Sequence, residues 1–500
     1  MLTISPLFTD LAVLPLSREL RLFGEASAPL VTARLTSPGG VTLASGEAET
    51  VNGRYELLLP PLQPQEGLTL TVEAGGERLV SENIAVGLLL LCGGQSNMEL
   101  ELRNCAEGPA LIPVMDDPGL RYFNVPRYAR SGPEADAAFA GTRWKAVTPG
   151  QAGDMSAVAC FAGRRLREAT GWPVGLVDCY WGGTSATCWM DEGTLLATAE
   201  GARYLSEYRA ACGDKDMAAY LEEENAFQQE MNEWNSRVEA ARAHLGPDAP
   251  WAAIEAEAGI CPWHPPVGPG SPYRPAGLFT TMVKPLLPLA LSAVLWYQGE
   301  EDTFHTDRYD VLLLSLMRCW RKAFRQPGLP FIVAQLPCWQ PDDSPEDDPR
   351  WPETRLRQAE VCAADARALC VCQIDQGEQH NIHPVHKQPI GQRLADALLT
   401  LLGRDAPVSP EITAWQTDGP ALLLTVSQPL QTPAAPAKHF ELRGVCGPWH
   451  PAAAEITGTA IRLTSPAVPR PTAARYAHFS WGEVNVFGVN GLPLAPGEVI

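Results

Sequence analysis

The chain has 500 residues, 45% hydrophobic and 19% charged, with a formal net charge of -20 at pH 7. At roughly 150 residues per domain this length implies more than one domain with sizeable cores, and no apolar stretch approaches the roughly 20 residues of a membrane span. The acidic balance argues against a nucleic-acid partner, and the 13 cysteines contain no CxxC pair, so neither a disulfide framework nor a zinc-ribbon spacing is visible.

The start, Met1-Leu2-Thr3-Ile4-Ser5-Pro6, lacks a basic region followed by an apolar one. With reduced thiols, that gives the expectation of a cytoplasmic protein with no secretory signal in the chain as given. Residues 1–84 hold short β-like stretches, such as 30–35 and 67–72, between Gly, Pro and Asn turns, and predict a small β-sandwich-like domain. From 85 to 406 the pattern changes to five compact apolar runs: 86–93, Val174 to Tyr180, Ala293 to Gln298, Phe331 to Leu336 and Leu369 to Ile374. Such runs read as strands buried on both faces. Helical patterns lie between them, as at 164–169 and from Tyr309 to Phe324. The expected class is therefore α/β, a three-layer sandwich around a five-stranded parallel sheet. A helical insertion at about 200–262 carries Tyr220, Phe227, Met231, Trp234, Val238 and Ala241 at helical spacing, an apolar stripe expected to pack on the domain. The acidic run 342–348 reads as a solvated loop. From 407 to 500, β-like segments and many prolines predict a C-terminal β-rich region.

In an open parallel sheet, ligands collect beyond the carboxyl ends of the strands, so the residues there carry the functional signal. The first run delivers Gly93-Gly94-Gln95-Ser96-Asn97-Met98, where two glycines permit a tight turn and place a serine at the head of a helix. Ser96 suits a nucleophile there, although Ser96-Asn97-Met98-Glu99 also satisfies a capping box. The second run delivers Trp181-Gly182-Gly183-Thr184-Ser185, the third Gln298-Gly299-Glu300-Glu301-Asp302, and beyond the fifth lie Asp375, His380, Asn381, His383 and His386. A hydroxyl, a base within reach and donors for an oxyanion are the parts of acyl transfer. No GxSxG surrounds Ser96, which disfavours a nucleophile-elbow hydrolase.

Four ordered motifs, Gly94-Gln95-Ser96-Asn97-Met98, Trp181-Gly182-Gly183-Thr184, Trp296-Tyr297-Gln298-Gly299-Glu300, and Ile382-His383-Pro384 with Lys387-Gln388, resemble those of the sialate O-acetylesterases, a family of SGNH hydrolases. The likeness extends from Leu7-Phe8-Thr9-Asp10 to Gly491-Leu492-Pro493. It implies an SGNH-hydrolase fold with Ser96 as nucleophile, its own amide and that of Gly183 as oxyanion donors, Gln298 as the side-chain donor and His383 as general base. Gln95, Glu300 and Arg357 are the implied substrate-binding candidates. Glu300 is read three ways, orienting Gln298, binding a sugar hydroxyl or holding structure. Arg127, Arg274, Arg357 and Lys387 are candidates to pair with a sialate carboxylate.

The chain departs from the family at the histidine, where His380 and Asn381 stand in place of a nearby carboxylate. The expected orienting group is the Asn381 carbonyl, with Asp375 second and Glu301 and Asp302 as further substitutes. The spacing of His380, His383 and His386 also raises a zinc site, which Pro384 disfavours by interrupting a helix. The resulting expectation is a cofactor-free and metal-free serine esterase that removes O-acetyl groups from sialic acid through an acetyl-enzyme. Deacetylation of xylan or another glycan is the close alternative, and a carbohydrate-binding protein with a degenerate site is the alternative from another class. The expected partner is an acetylated glycan, with no nucleic acid or membrane, and the sequence sets no oligomeric state.

Overall fold

The computed structural model describes residues 1–246, 251–263, 265–340, 347–431 and 435–500. The expected acidic loop therefore lies, as far as residue 346, outside the described residues. The central sheet is built on β1 (Glu77–Gly94), β2 (Asp117–Asn124), β3 (Lys145–Val147), β4 (Val174–Tyr180), β5 (Ala293–Tyr297), β6 (Phe331–Ala334) and β7 (Ala368–Val371). Its order across the core is β7-β6-β5-β1-β4-β2-β3. Every neighbouring pair from β7 to β2 is parallel, and β3 alone runs antiparallel, on β2.

The five predicted runs are all strands of this sheet, but the expectation of a five-stranded parallel sheet is corrected, because β2 adds a sixth parallel strand. Its sequence, Asp117-Pro118-Gly119-Leu120-Arg121-Tyr122-Phe123-Asn124, opens on turn residues and has a charge at its centre, so periodicity does not mark it. Arg121 is nonetheless buried, its guanidinium spent on the carbonyls of Leu11, Asn83 and Pro118.

Alternate residues of β1 enter opposite cores, as the pleat requires. Leu88, Leu90 and Cys92 pack with Val158 and Phe161 of α1 (Ala157–Thr170) and Leu394 of α2 (Gln388–Leu401). Leu89 and Leu91 pack with Leu312, Leu316 and Trp320 of the helix Tyr309–Ala323. Helices thus cover both faces.

The N-terminal β-rich region is continuous with this sheet. β1 pairs over its first half with Gln65–Ala74, which pairs with Leu30–Thr36, and over its second half with β4 and β5. At the other end, strands between Ile412 and Val499 enclose a separate cluster that includes Leu424, Phe440, Leu442, Ile461 and Tyr476. In the insertion, Met217–Leu245 is one helix whose Trp234, Val238 and Ala241 pack on Ile254 and Ala258 of the returning helix Trp251–Ala258. The predicted stripe therefore closes largely on its own insertion; Tyr220, at its start, meets the domain at Gly268 and Gly270. Among the described residues no helix is long and apolar enough to cross a membrane.

Candidate active site

β1 ends at Gly94, whose φ is +137° and where a Cβ would stand 2.0 Å from the Tyr297 carbonyl oxygen. Only glycine fits, and the chain turns sharply into the one-turn helix Ser96–Glu99. The cap position of that helix belongs to Gln95, which makes no side-chain capping bond, so Ser96 is the first helical residue. The capping-box reading is overturned. The Ser96 hydroxyl lies 2.9 Å from His383 Nε2 instead, and Glu99 accepts from the Gly182 amide and pairs with Arg127.

β4 supplies the opposite wall through Trp181-Gly182-Gly183. A Cβ on Gly182 would stand 3.3 Å from the Ser96 Cβ, so this turn lies directly against the serine. Gly183 takes φ +69°, and its amide makes no hydrogen bond among the described residues. The Ser96 amide, at the first position of its helix, has no intrahelical acceptor either. Two backbone donors therefore remain beside the serine.

His383 is held by its loop. Its amide donates to Asn381 Oδ1 at 3.0 Å, Asn381 Nδ2 donates to Glu378 at 2.9 Å, and Glu378 accepts from the Val385 amide at 2.6 Å. Burial, and after it the neighbouring Lys387 ammonium, lowers the imidazole to about 4. The ring is neutral at pH 7 and able to take a proton.

The expected orienting groups are corrected. No hydrogen bond to His383 Nδ1 occurs among the described residues, and Asn381 acts through its side chain on the loop backbone. Asp375 is clamped by Arg393 at 2.6 and 2.8 Å. Asp302 accepts four donors, the hydroxyls of Ser185 at 2.6 Å and Tyr204 at 2.8 Å, the Ala186 amide at 2.8 Å and Gln298 Nε2 at 2.7 Å. His386 pairs with Glu107. Among the described residues no group of three or more His, Cys, Asp or Glu side chains is arranged to hold a metal ion.

Gln298 is also corrected. Its Nε2 is shared between Asp302 and the Thr184 carbonyl, its Oε1 accepts from Tyr309, and it is completely buried, so it braces the loops and offers no donor to an oxyanion. The substrate-binding candidates fare similarly. Gln95 Oε1 accepts the amides of Gly299 and Glu301, and Arg357 is paired with Glu360 and Glu353 on the helix Arg350–Ala363. Glu300 is buried and accepts from Asn97 at 2.7 Å, which supports its structural reading; burial raises its carboxyl above the ordinary range. Of the remaining carboxylate candidates, Lys387 is fully buried, Arg274 donates to the carbonyls of Pro269 and Ala129, and Arg127 is half-exposed beside Glu99.

Sequence reasoning missed the centre of this arrangement. Asn97 donates to Glu300 and to the Ile382 carbonyl at 3.0 Å, and accepts from Lys387 Nζ at 2.6 Å. One carboxamide thus ties the serine helix, the loop after β5 and the histidine loop together. Desolvation lowers Lys387 to about 7, partly offset by Glu300 and Glu378. Both residues lie inside the quoted motifs, but nothing in a one-dimensional pattern pairs them across 290 positions.

Sequence similarity points to a hydrolase of the carbohydrate esterase class. Residues 272–400 match the family model for carbohydrate esterase, sialic acid-specific acetylesterase. The chain is 26% identical to the sialate O-acetylesterase of Mus musculus over 444 residues, 80% of this chain and 74% of that protein. It is 26% identical to the enzyme of the same name from Rattus norvegicus over 486 residues, 88% and 81% of the two chains. The fold superposes on a carbohydrate acetylesterase from Xanthomonas citri with a TM-score of 0.75 at 24% identity, covering 100% of this chain and 99% of that one. The chain is a sialate O-acetylesterase-like hydrolase.

Proposed function

We propose that the protein is a serine O-acetylesterase acting on an acetylated glycan, with O-acetylated sialic acid as the first substrate to test. The observation that carries this reading is the 2.9 Å contact between Ser96 Oγ and His383 Nε2 beside the free amide of Gly183. His383 takes the serine proton as Oγ attacks the acetyl carbon, and the amides of Ser96 and Gly183 receive the oxyanion. The sugar leaves as an alcohol with the proton from His383. Water, deprotonated by the same imidazole, then attacks the acetyl-enzyme, and His383 returns that proton to Ser96 Oγ as the ester bond breaks and acetate is released. With no side chain among the described residues bonded to Nδ1, the reading is a Ser–His pair braced by its loop.

Ser96→Ala should remove turnover and covalent labelling by a phosphonate ester while the fold, followed by circular dichroism, persists. Labelling of the parent at another residue, or activity near the parent level in the variant, overturns the assignment. An unlabelled parent would favour the carbohydrate-binding alternative. The substrate is read from acetate release from 9-O-acetylated sialic acid and from acetylated xylo-oligosaccharides, with Arg127→Ala as the companion variant. A selective loss on the sialate in that variant is expected if Arg127 pairs with its carboxylate, and a parent preference for the xylo-oligosaccharide gives the neutral-glycan reading.

A further inference from the structure

The Trp181-Gly182-Gly183 turn has a second side. Gly182 faces Ser96, whereas Gly183 faces an indole: a Cβ on Gly183 would stand 2.4 Å from Trp263 Cζ2 and 2.7 Å from Cη2. Position 183 is thus closed to any side chain by sterics as well as by its φ. Trp263 follows the helical insertion and is held edge-on by Tyr273, with ring centroids 5.8 Å apart and planes at 82°. Tyr273 is itself fixed, its carbonyl accepting from Cys188 Sγ. Yet 40% of Trp263 remains exposed. A large ring is therefore fixed in place and left open against the residue that carries a free oxyanion-type donor.

A carboxyl adjoins the same edge. Glu301 is anchored by its amide to Gln95 Oε1, next to Ser96, while its side chain makes no hydrogen bond or ion pair among the described residues. Burial first, then Asp302 and Glu300, push it up to about 8, so near neutrality it is largely protonated and can donate as well as accept. Its neighbour Asp302 is bonded to Ser185 and Ala186 of the turn that carries Gly183, so Glu301 lies beside that turn.

We propose that Trp263 and Glu301 form the subsite for the pyranose ring that carries the ester. The inference rests on the Ser96 reading above. An acetyl group is small, and its carbonyl oxygen is taken by the amides, so the bulk of the substrate is the leaving alcohol and must lie against another wall. A pyranose has an apolar C–H face and a rim of hydroxyls. An exposed indole matches the first and an unpaired carboxyl the second.

The test compares kcat/KM for acetylated xylo-oligosaccharides and 9-O-acetylated sialic acid with that for p-nitrophenyl acetate, whose alcohol has no hydroxyl rim. Trp263→Ala and Glu301→Ala should each lower the sugar-to-chromogenic ratio about tenfold or more on at least one sugar. Trp263→Phe and Glu301→Gln should recover part of it. Which sugar suffers identifies the ring. A ratio that stays constant, or a gain on butyryl esters from Trp263→Ala, overturns the proposal, the latter by making the indole an acyl-pocket wall. A second readout is independent of the chemistry. The deacetylated xylo-oligosaccharide or sialic acid should bind Ser96→Ala by calorimetry and lose that binding when Trp263→Ala is added. Binding untouched by the second change also overturns the subsite, whereas loss of labelling at Ser96 with this binding intact strikes only the mechanism.

Discussion

At the scale of residues, burial sets the base and the Lys387 ammonium adds to it. The ammonium is buried, it is held by Asn97, and it sits 5.6 Å from the Tyr297 ring centroid, so little solvent screens it from the imidazole. With His383 lowered to about 4, the acid limb of kcat/KM should fall far below the ordinary histidine range near 6.5. Lys387→Met removes the charge and should move that limb upward, toward ordinary histidine, as measured on p-nitrophenyl acetate. A limb that stays in place would assign the lowering to burial alone. The sign for stability follows from the same shift. Between the unfolded pKa of about 6.5 and the folded value of about 4, the unfolded chain binds more protons, so His383 costs stability progressively as pH falls through that window. In Lys387→Met the window should narrow, which urea denaturation at a series of pH values would read.

At the scale of elements, the strand-end loops after β4 and β5 and one helix beside them are bound to one another through Asp302. Its four donors come from the turn after β4, from Gln298 after β5, and from Tyr204 of the helix Ala199–Cys212. Asp302→Ala would take their shared acceptor from all four, at about 1–3 kcal/mol for each buried donor left unsatisfied. The expected outcome is a loss of several kcal/mol in denaturant unfolding together with a loss of turnover, because Gly183 is on one of the released loops. Asp302→Asn should fall between, since an amide still accepts but offers a donor where only donors face it.

Such ties explain how far the sequence could be read. Gly94 and Ser96 are legible because a strand-end turn demands particular residue types at fixed offsets from an apolar run, whereas the roles of Gly183 and His383 are legible only through the resemblance of their motifs to those of a family. Gln298, Asp375 and Glu300 share the same edge and carry equally suggestive chemistry. What separates them is which partner each side chain finds, and that is decided by loops distant in sequence. Arg393 reaches Asp375 from 18 residues away, while Asn97 reaches Glu300 across 203. β2 escaped for a related reason: its buried arginine is compensated by carbonyls from the N-terminal region, a tertiary arrangement that overrides local polarity.

For the whole molecule, the question is whether residues 1–84 are a separable module. β1 runs without a break through position 84, pairing with β-rich neighbours before it and with the central sheet after it. The two regions share a core as well, since Leu7, Phe8 and Leu14 pack in one cluster with Phe123 and Trp144, whose indole donates to the Leu7 carbonyl at 3.0 Å. Arg121 supplies the sharper argument. Removing residues 1–84 would take away the acceptors at Leu11 and Asn83 and leave a guanidinium buried in β2 without them. An uncompensated buried charge costs about 3–5 kcal/mol, a large share of the marginal stability of any domain. We therefore propose that 85–406 does not fold without the N-terminal region. A chain starting at residue 85 should be recovered aggregated, or soluble without a cooperative thermal transition and without esterase activity. A soluble 85–500 fragment that melts cooperatively and hydrolyses p-nitrophenyl acetate would show instead that the N-terminal strands are an appendage and that Arg121 finds water in their place.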